Sequence, residues 1–182
     1  MFHSRTVLLT ASAILVGFSA HAGGVSGGGG NVLFPVDPQQ PASRLEVRQV
    51  IVSAHRDVVQ YLQEKQEQFR AGNLDPAQRV QFSQLFEQPL NVVEISRNKV
   101  LEIESERPCI DANGMPVDAD IHADDQEKVC VSSFSISKKV EKGELSAQSA
   151  ALLIHEFSEL AGFDEDGAVQ LQSMVLADFR RR

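Results

Sequence analysis

The stretch Ser146–Gly167, SAQSAALLIHEFSELAGFDEDG, decides how the rest of the chain is read. Ser146 reads as a helix N-cap, Ala and Leu favour the helix that follows, and Gly162 reads as its stop. Ala150, Leu153, Ile154, Phe157, Leu160 and Ala161 form an apolar stripe at helical spacing, which predicts a face packed on a core. Beside it stand His155, Glu156, Glu159, Gly162 and Glu165, spaced H-E-x-x-E-x-x-G-x-x-E. Side chains four apart on a helix lie about 5–6 Å from one another, so His155 and Glu159 are placed to chelate one ion. Glu156 is rotated off that axis, and Glu165 returns toward it once Gly162 has turned the chain. The same letters also suit a plainer reading. A solvated helix carries an i,i+4 His–Glu pair in this way, Asp164 caps a following helix, and Glu165 and Asp166 are first-turn acids favoured by its dipole.

The string resembles the zinc-metallopeptidase helix H-E-x-x-H in the extended metzincin form H-E-x-x-H-x-x-G-x-x-H/D. The resemblance implies a zincin-like site with His155, Glu159 and Glu165 as metal ligands and Glu156 as general base, with Gly162 as the turn glycine. Two ligand positions carry Glu in place of His. That harder, more anionic set suits Mn²⁺, Fe²⁺ or Ca²⁺ about as well as Zn²⁺. No Met-turn follows, since Met174 lies too close and within an apparent helix.

At the other end, residues 1–22 have the three parts of a secretory signal: Arg5, an apolar centre from Val7 to Phe18, and the cleavage site Ala20-His21-Ala22. The apolar run is too short to span a bilayer, and no other stretch is long enough. An exported protein, periplasmic or extracellular, is expected. The chain has a formal net charge of −8, and losing the leader removes one cation more. That balance argues against nucleic acid or an anionic membrane as partner and favours cations.

Residues 23–42 are Gly-rich and then Pro-rich and read as a flexible tail, with Val32-Leu33-Phe34 able to dock as a short extended piece. The remainder, 43–182, reads as one domain. Ser43 and Glu46 make a capping box for a long helix ending near Gly72, with Leu45, Val52, Val58, Val59, Leu62 and Phe69 as its apolar side. His55 within it reads as a packed residue or a distant ligand. Asp75-Pro76 restart a helix that ends before Pro89, completing a helical hairpin.

The period then changes. Val92-Val93-Ile95 and Val100-Leu101-Ile103 read as two strands across a turn at Arg97-Asn98-Lys99. Cys109-Ile110 and Val129-Cys130-Val131 flank an acidic loop, in which Asp111-Ala112-Asn113-Gly114 reads as a tight turn and His122 as a residue of no fixed role. Phe134, Ile136 and Val140 read as a last strand leading into the motif helix. Two cysteines in an exported chain predict a disulfide, Cys109–Cys130.

The expected fold is therefore α+β: a helical hairpin, a small, mostly antiparallel sheet stapled by a disulfide, the motif helix and a C-terminal helix from Gly167 to Phe179. Two functions follow. One is a small exported zincin-like metal-dependent hydrolase acting on a peptide or protein. The other is a non-catalytic binding or structural protein on the same scaffold.

Overall fold

The helix Leu145–Ala161 is buried along its whole length, Ser146 alone excepted. A helix enclosed on every side belongs to a core, not a surface, and its polar residues must then find partners inside the protein. The computed structural model that places it describes residues 29–121 and 128–182; the expected leader and His122 lie outside the described residues.

In chain order the elements are helix α1 (Arg44–Arg70), α2 (Arg79–Phe86), α3 (Val92–Asn98), strands β1 (Val100–Glu104), β2 (Cys109–Ile110), β3 (Pro116–Val117), β4 (Ala119–Ile121) and β5 (Lys128–Ser132), then α4 (Ser133–Ile136), a 3₁₀ turn at Lys142–Glu144, α5 (Leu145–Ala161) and α6 (Glu165–Phe179). The class is α+β. Helices α1, α3 and α6 and strand β4 pack around α5.

Helix α1 opens with the expected capping box. The Ser43 side chain accepts from the Glu46 backbone N–H, and the Glu46 carboxylate accepts from the Ser43 N–H at 2.8 Å. Its buried face is Val47, Ile51, Ala54, Val58, Tyr61 and Leu62, a four-three alternation that keeps one stripe on the core. Leu45 and Val52 were expected on that stripe, but they face outward at 65% and 48% exposure.

Two of the expected strands are helices. Val92, Val93 and Ile95 lie in α3 because Asn91 caps it, its side chain accepting the Val93 N–H at 3.0 Å. Val92, Val93 and Ser96 then fall on one buried helical face, where a strand would have split Val92 from Val93. Likewise the strand β5 stops at Ser132, whose side chain caps α4 by accepting the Ser135 N–H at 3.0 Å. Phe134 and Ile136 are thus helical, and the motif helix is reached through α4 and the 3₁₀ turn instead of directly from a strand. That turn also moves the cap of α5 from Ser146 to Glu144, so the helix begins at Leu145.

The main sheet has the order β1-β5-β4, with β1 parallel and β4 antiparallel to β5, so it is mixed. Val129 and Val131 of β5 join the helical core. Cys130 turns to the opposite face, where it is bonded to Cys109 and packed with Val117 of the small β2–β3 hairpin. The hairpin's turn is set by Asp111, whose Oδ1 accepts from the backbone N–H of Asn113 and Met115, with Gly114 at φ 79°.

Candidate metal centre at the corner of two helices

Gly162 ends α5 with φ 110°, a left-handed conformation that a side chain disfavours. The chain turns there, and Asp164 caps α6 by accepting the Gly167 N–H at 2.8 Å. Capping sets Glu165 on the first turn of α6, back against α5. His155 Nε2 consequently lies 3.6 Å from Glu159 Oε2 and 3.8 Å from Glu165 Oε1. Donors held at about 2.0–2.1 Å around a shared tetrahedral ion stand about 3.3 Å apart, so only small side-chain adjustments separate this trio from a ligand set. His155, Glu156 and Glu159 also each offer a donor atom within 4.8 Å of the others.

Burial makes the arrangement informative. His155 is 1% exposed, Glu156 0% and Glu159 7%, whereas Glu165 is half exposed and leaves the corner open on one side. Neither imidazole nitrogen of His155 has a hydrogen-bond partner, and Glu156 Oε2 has none either. Buried polar atoms are nearly always paired, because leaving one unpaired costs roughly 1–3 kcal/mol. Three orphaned donor or acceptor atoms at one corner fit a group that the protein supplies with ligands.

The protonation pattern has the same cause. Burial holds the His155 imidazole below its ordinary value against opposing pulls from Glu165 and Gln172, which leaves it neutral and able to ligate. Burial also pushes the Glu159 carboxyl up to about 8, helped by a hydrogen bond and charge from Glu165 and by the charge of Asp120. Glu156 is raised well above the carboxylate range by burial and by Glu159, although the Gly30 N–H pulls the other way. The carboxyls of Glu156, Glu159 and Glu165 thus gather at one neutral imidazole, and the charge of Asp120 acts on Glu156 and Glu159. Without a cation Glu156 and Glu159 hold their protons; a bound cation would let those protons leave.

His155, Glu156, Glu159 and Glu165 are therefore brought together by the fold. His55 is not among them. Its Nε2 is 2.6 Å from the Ser96 carbonyl oxygen and its ring is 5.6 Å from that of Phe157, on a packed face of α5. Two contributors were not singled out from the sequence. Asp120 reads there as one more acid of a loop, yet it lies in β4 at 5% exposure. Its setting between Ala119 and Ile121, both apolar, was the available signal. Gly30 is the other. Its N–H donates to Glu156 Oε1 at 2.9 Å, and a glycine run read only for flexibility conceals such a close approach.

No known protein family, curated protein or solved structure matches this chain.

Proposed function

We propose that this protein is an exported, zincin-like metal-dependent hydrolase working in the periplasm or outside the cell, with a peptide as its substrate. The observation that carries the reading is His155: a buried, neutral imidazole without a hydrogen-bond partner, facing the carboxylates of Glu159 and Glu165. Those three residues hold a divalent ion, with Zn²⁺, Mn²⁺ and Fe²⁺ all compatible with one nitrogen and two carboxylate donors. The ion would acidify a water and polarise a carbonyl, the chemistry common to metal-assisted hydrolysis. Glu156 is the proton carrier. Its raised affinity for a proton suits a group that takes one from the attacking water and returns it to the leaving amine. The Cys109–Cys130 bond suits an oxidising compartment. Among the described residues no helix is long and apolar enough to cross a membrane.

A second reading has its own observation. Glu156 is wholly buried with Gly30 seated on it, so access to the base is closed in this conformation. A metal-binding protein without turnover would tolerate that closure.

Metal content of the mature protein, purified without chelator, tests the reading directly. Near-stoichiometric metal that disappears in His155→Ala and persists in Glu156→Gln is expected, with peptide cleavage lost in both. Absence of metal after reloading the wild type would end the metal reading. Metal without any cleavage would favour the non-catalytic one.

A further inference from the structure

Residues 29–33 cross the candidate centre as an extended strap whose polar contacts to the body are made by its backbone. Gly30 N–H donates to Glu156 Oε1 at 2.9 Å. The Gly30 carbonyl accepts from the N–H groups of Asp118 and Ala119, at 3.2 and 3.0 Å, where the edge strand β4 begins. The Val32 N–H donates to Asp118 Oδ2 at 3.0 Å. Gln172 donates to the Asn31 carbonyl at 2.8 Å and Gln148 to the Leu33 carbonyl at 2.6 Å. These partners come from β4, α5 and α6, three separate elements that converge on one line of peptide.

Two side-chain positions add selectivity. A Cβ on residue 30 would lie 2.4 Å from Glu156 Oε1, 2.9 Å from His155 Cδ2 and 3.1 Å from Leu152 Cδ1. Only glycine fits above the centre. Val32, by contrast, is buried at 4% exposure among the core residues. Backbone hydrogen bonds for affinity and alternate side-chain positions for specificity are how an extended peptide is bound along a sheet edge. Side-chain amides and a carboxylate reading the backbone of a neighbouring segment are what such a groove needs.

We infer that the channel between β4, α5 and α6 is an extended-peptide-binding groove, that its ligand is a polypeptide segment with glycine over Glu156 and an apolar residue two positions on, and that the chain's own residues 29–33 occupy it. Resting on the hydrolase reading, this makes the substrate a glycine-containing extended peptide and the strap its internal competitor. An intramolecular occupant has a high effective concentration, so a peptide added to the intact chain binds with its affinity reduced by the fraction of open groove.

The test replaces residues 37–40 of the full chain, exposed apart from the half-buried Pro38, by a site-specific protease sequence, folds the protein intact and then cuts it. Folding precedes the cut, and an uncut control reports that the fold is retained. A fluorescent peptide of residues 29–36 is then added with a chelator present, and its uptake is followed by anisotropy. Saturable uptake by the cut protein is expected, with uptake by the uncut protein at least about tenfold weaker. A peptide carrying alanine in place of Gly30 should bind at least about tenfold more weakly still to the cut protein, as should one with serine at the Val32 position. No uptake by the cut protein, or equal uptake of the alanine peptide, would overturn the inference. Because the chelator removes any ion, failure here leaves the metal-content result standing, and failure of that result leaves the groove standing.

Discussion

His155 Nε2 and Glu165 Oε1 stand 3.8 Å apart although they belong to different helices. Their approach depends on how tightly the chain turns between them, and the turn depends on Gly162 at φ 110°. A side chain at that φ is strained by about 1–3 kcal/mol.

Gly162→Ala should therefore lower the melting temperature by several degrees, given about 2–4 °C per kcal/mol for a chain of this size. Its Cβ would meet only Gln88 Oε1, at 3.3 Å and on a flexible side chain, so backbone strain is the main cost. Metal retention should fall as well, because the strain relaxes by moving α6 and with it Glu165. Melting and metal titration on the same variant check both. A variant that melts lower yet binds metal like the wild type would show that the corner does not set the ligand.

The corner also predicts an unusual pH dependence for the metal-free protein. Glu159 is raised in the folded state to about 8 and Glu156 is raised too, so between the unfolded carboxylate value and that point the folded chain binds more protons than the unfolded one. Stability then falls as pH rises through this range. His155 is lowered, so its contribution acts the other way, lost as pH falls below the unfolded imidazole value of about 6.5. The window from about 6.5 to 8 isolates the carboxyls. Metal-free protein should lose stability across it, on the order of a few kcal/mol at most. Glu159→Gln should flatten the slope, and saturating metal should reverse it by displacing the protons. Chemical denaturation at several pH values reads this; a flat wild-type profile would contradict the crowding of acids at His155.

The letters of the motif already implied most of this corner, because helical spacing places His155 beside Glu159 and glycine followed by aspartate marks a helix stop and a new cap. The burial of α5 was not legible. His155, Glu156 and Glu159 fall outside the apolar stripe, and what covers them is residues 29–33 and the edge of a sheet far away in sequence. The hydrophobic runs at Val92 and at Phe134 misled for a local reason. Asn91 and Ser132 are caps, and a short capped apolar run takes whichever period its burial rewards. For α1 the helix was evident, but choosing its buried stripe required knowing that Tyr61 and Ala54 lie on the core.

The disulfide provides a separate check on the sheet. Cys109 and Cys130 are separated by 21 residues and join the hairpin to the central strand β5. Replacing both with serine should cost about 3 kcal/mol, the loop-entropy value for such a separation. The centre lies on α5 and α6, which the bond does not touch, so metal binding per folded molecule should be unchanged. Metal lost in proportion to more than the unfolded fraction would mean that β4 moves when the staple is cut.

The last prediction concerns Lys139 and Asp118. Lys139 Nζ is 2.7 Å from Asp118 Oδ1, and the Asp118 side chain is fully buried while that of Lys139 is 37% exposed. Asp118 Oδ2 is the acceptor for the Val32 N–H, so one carboxylate joins α4's exit, the start of β4 and the strap. Lys139→Met leaves that buried charge without its cation. The cost should be about 2–3 kcal/mol, below the figure for a wholly buried pair because water reaches the lysine. Asp118→Asn in the same chain removes the orphaned charge and still accepts from Val32, so the double variant should recover much of the loss. Amide exchange at Val32 should quicken in Lys139→Met and slow again in the double variant, since the strap's hold depends on where that carboxylate points. A double variant no more stable than Lys139→Met would show that the lysine acts through its own packing, and an unchanged Val32 exchange rate would show that the strap is anchored elsewhere.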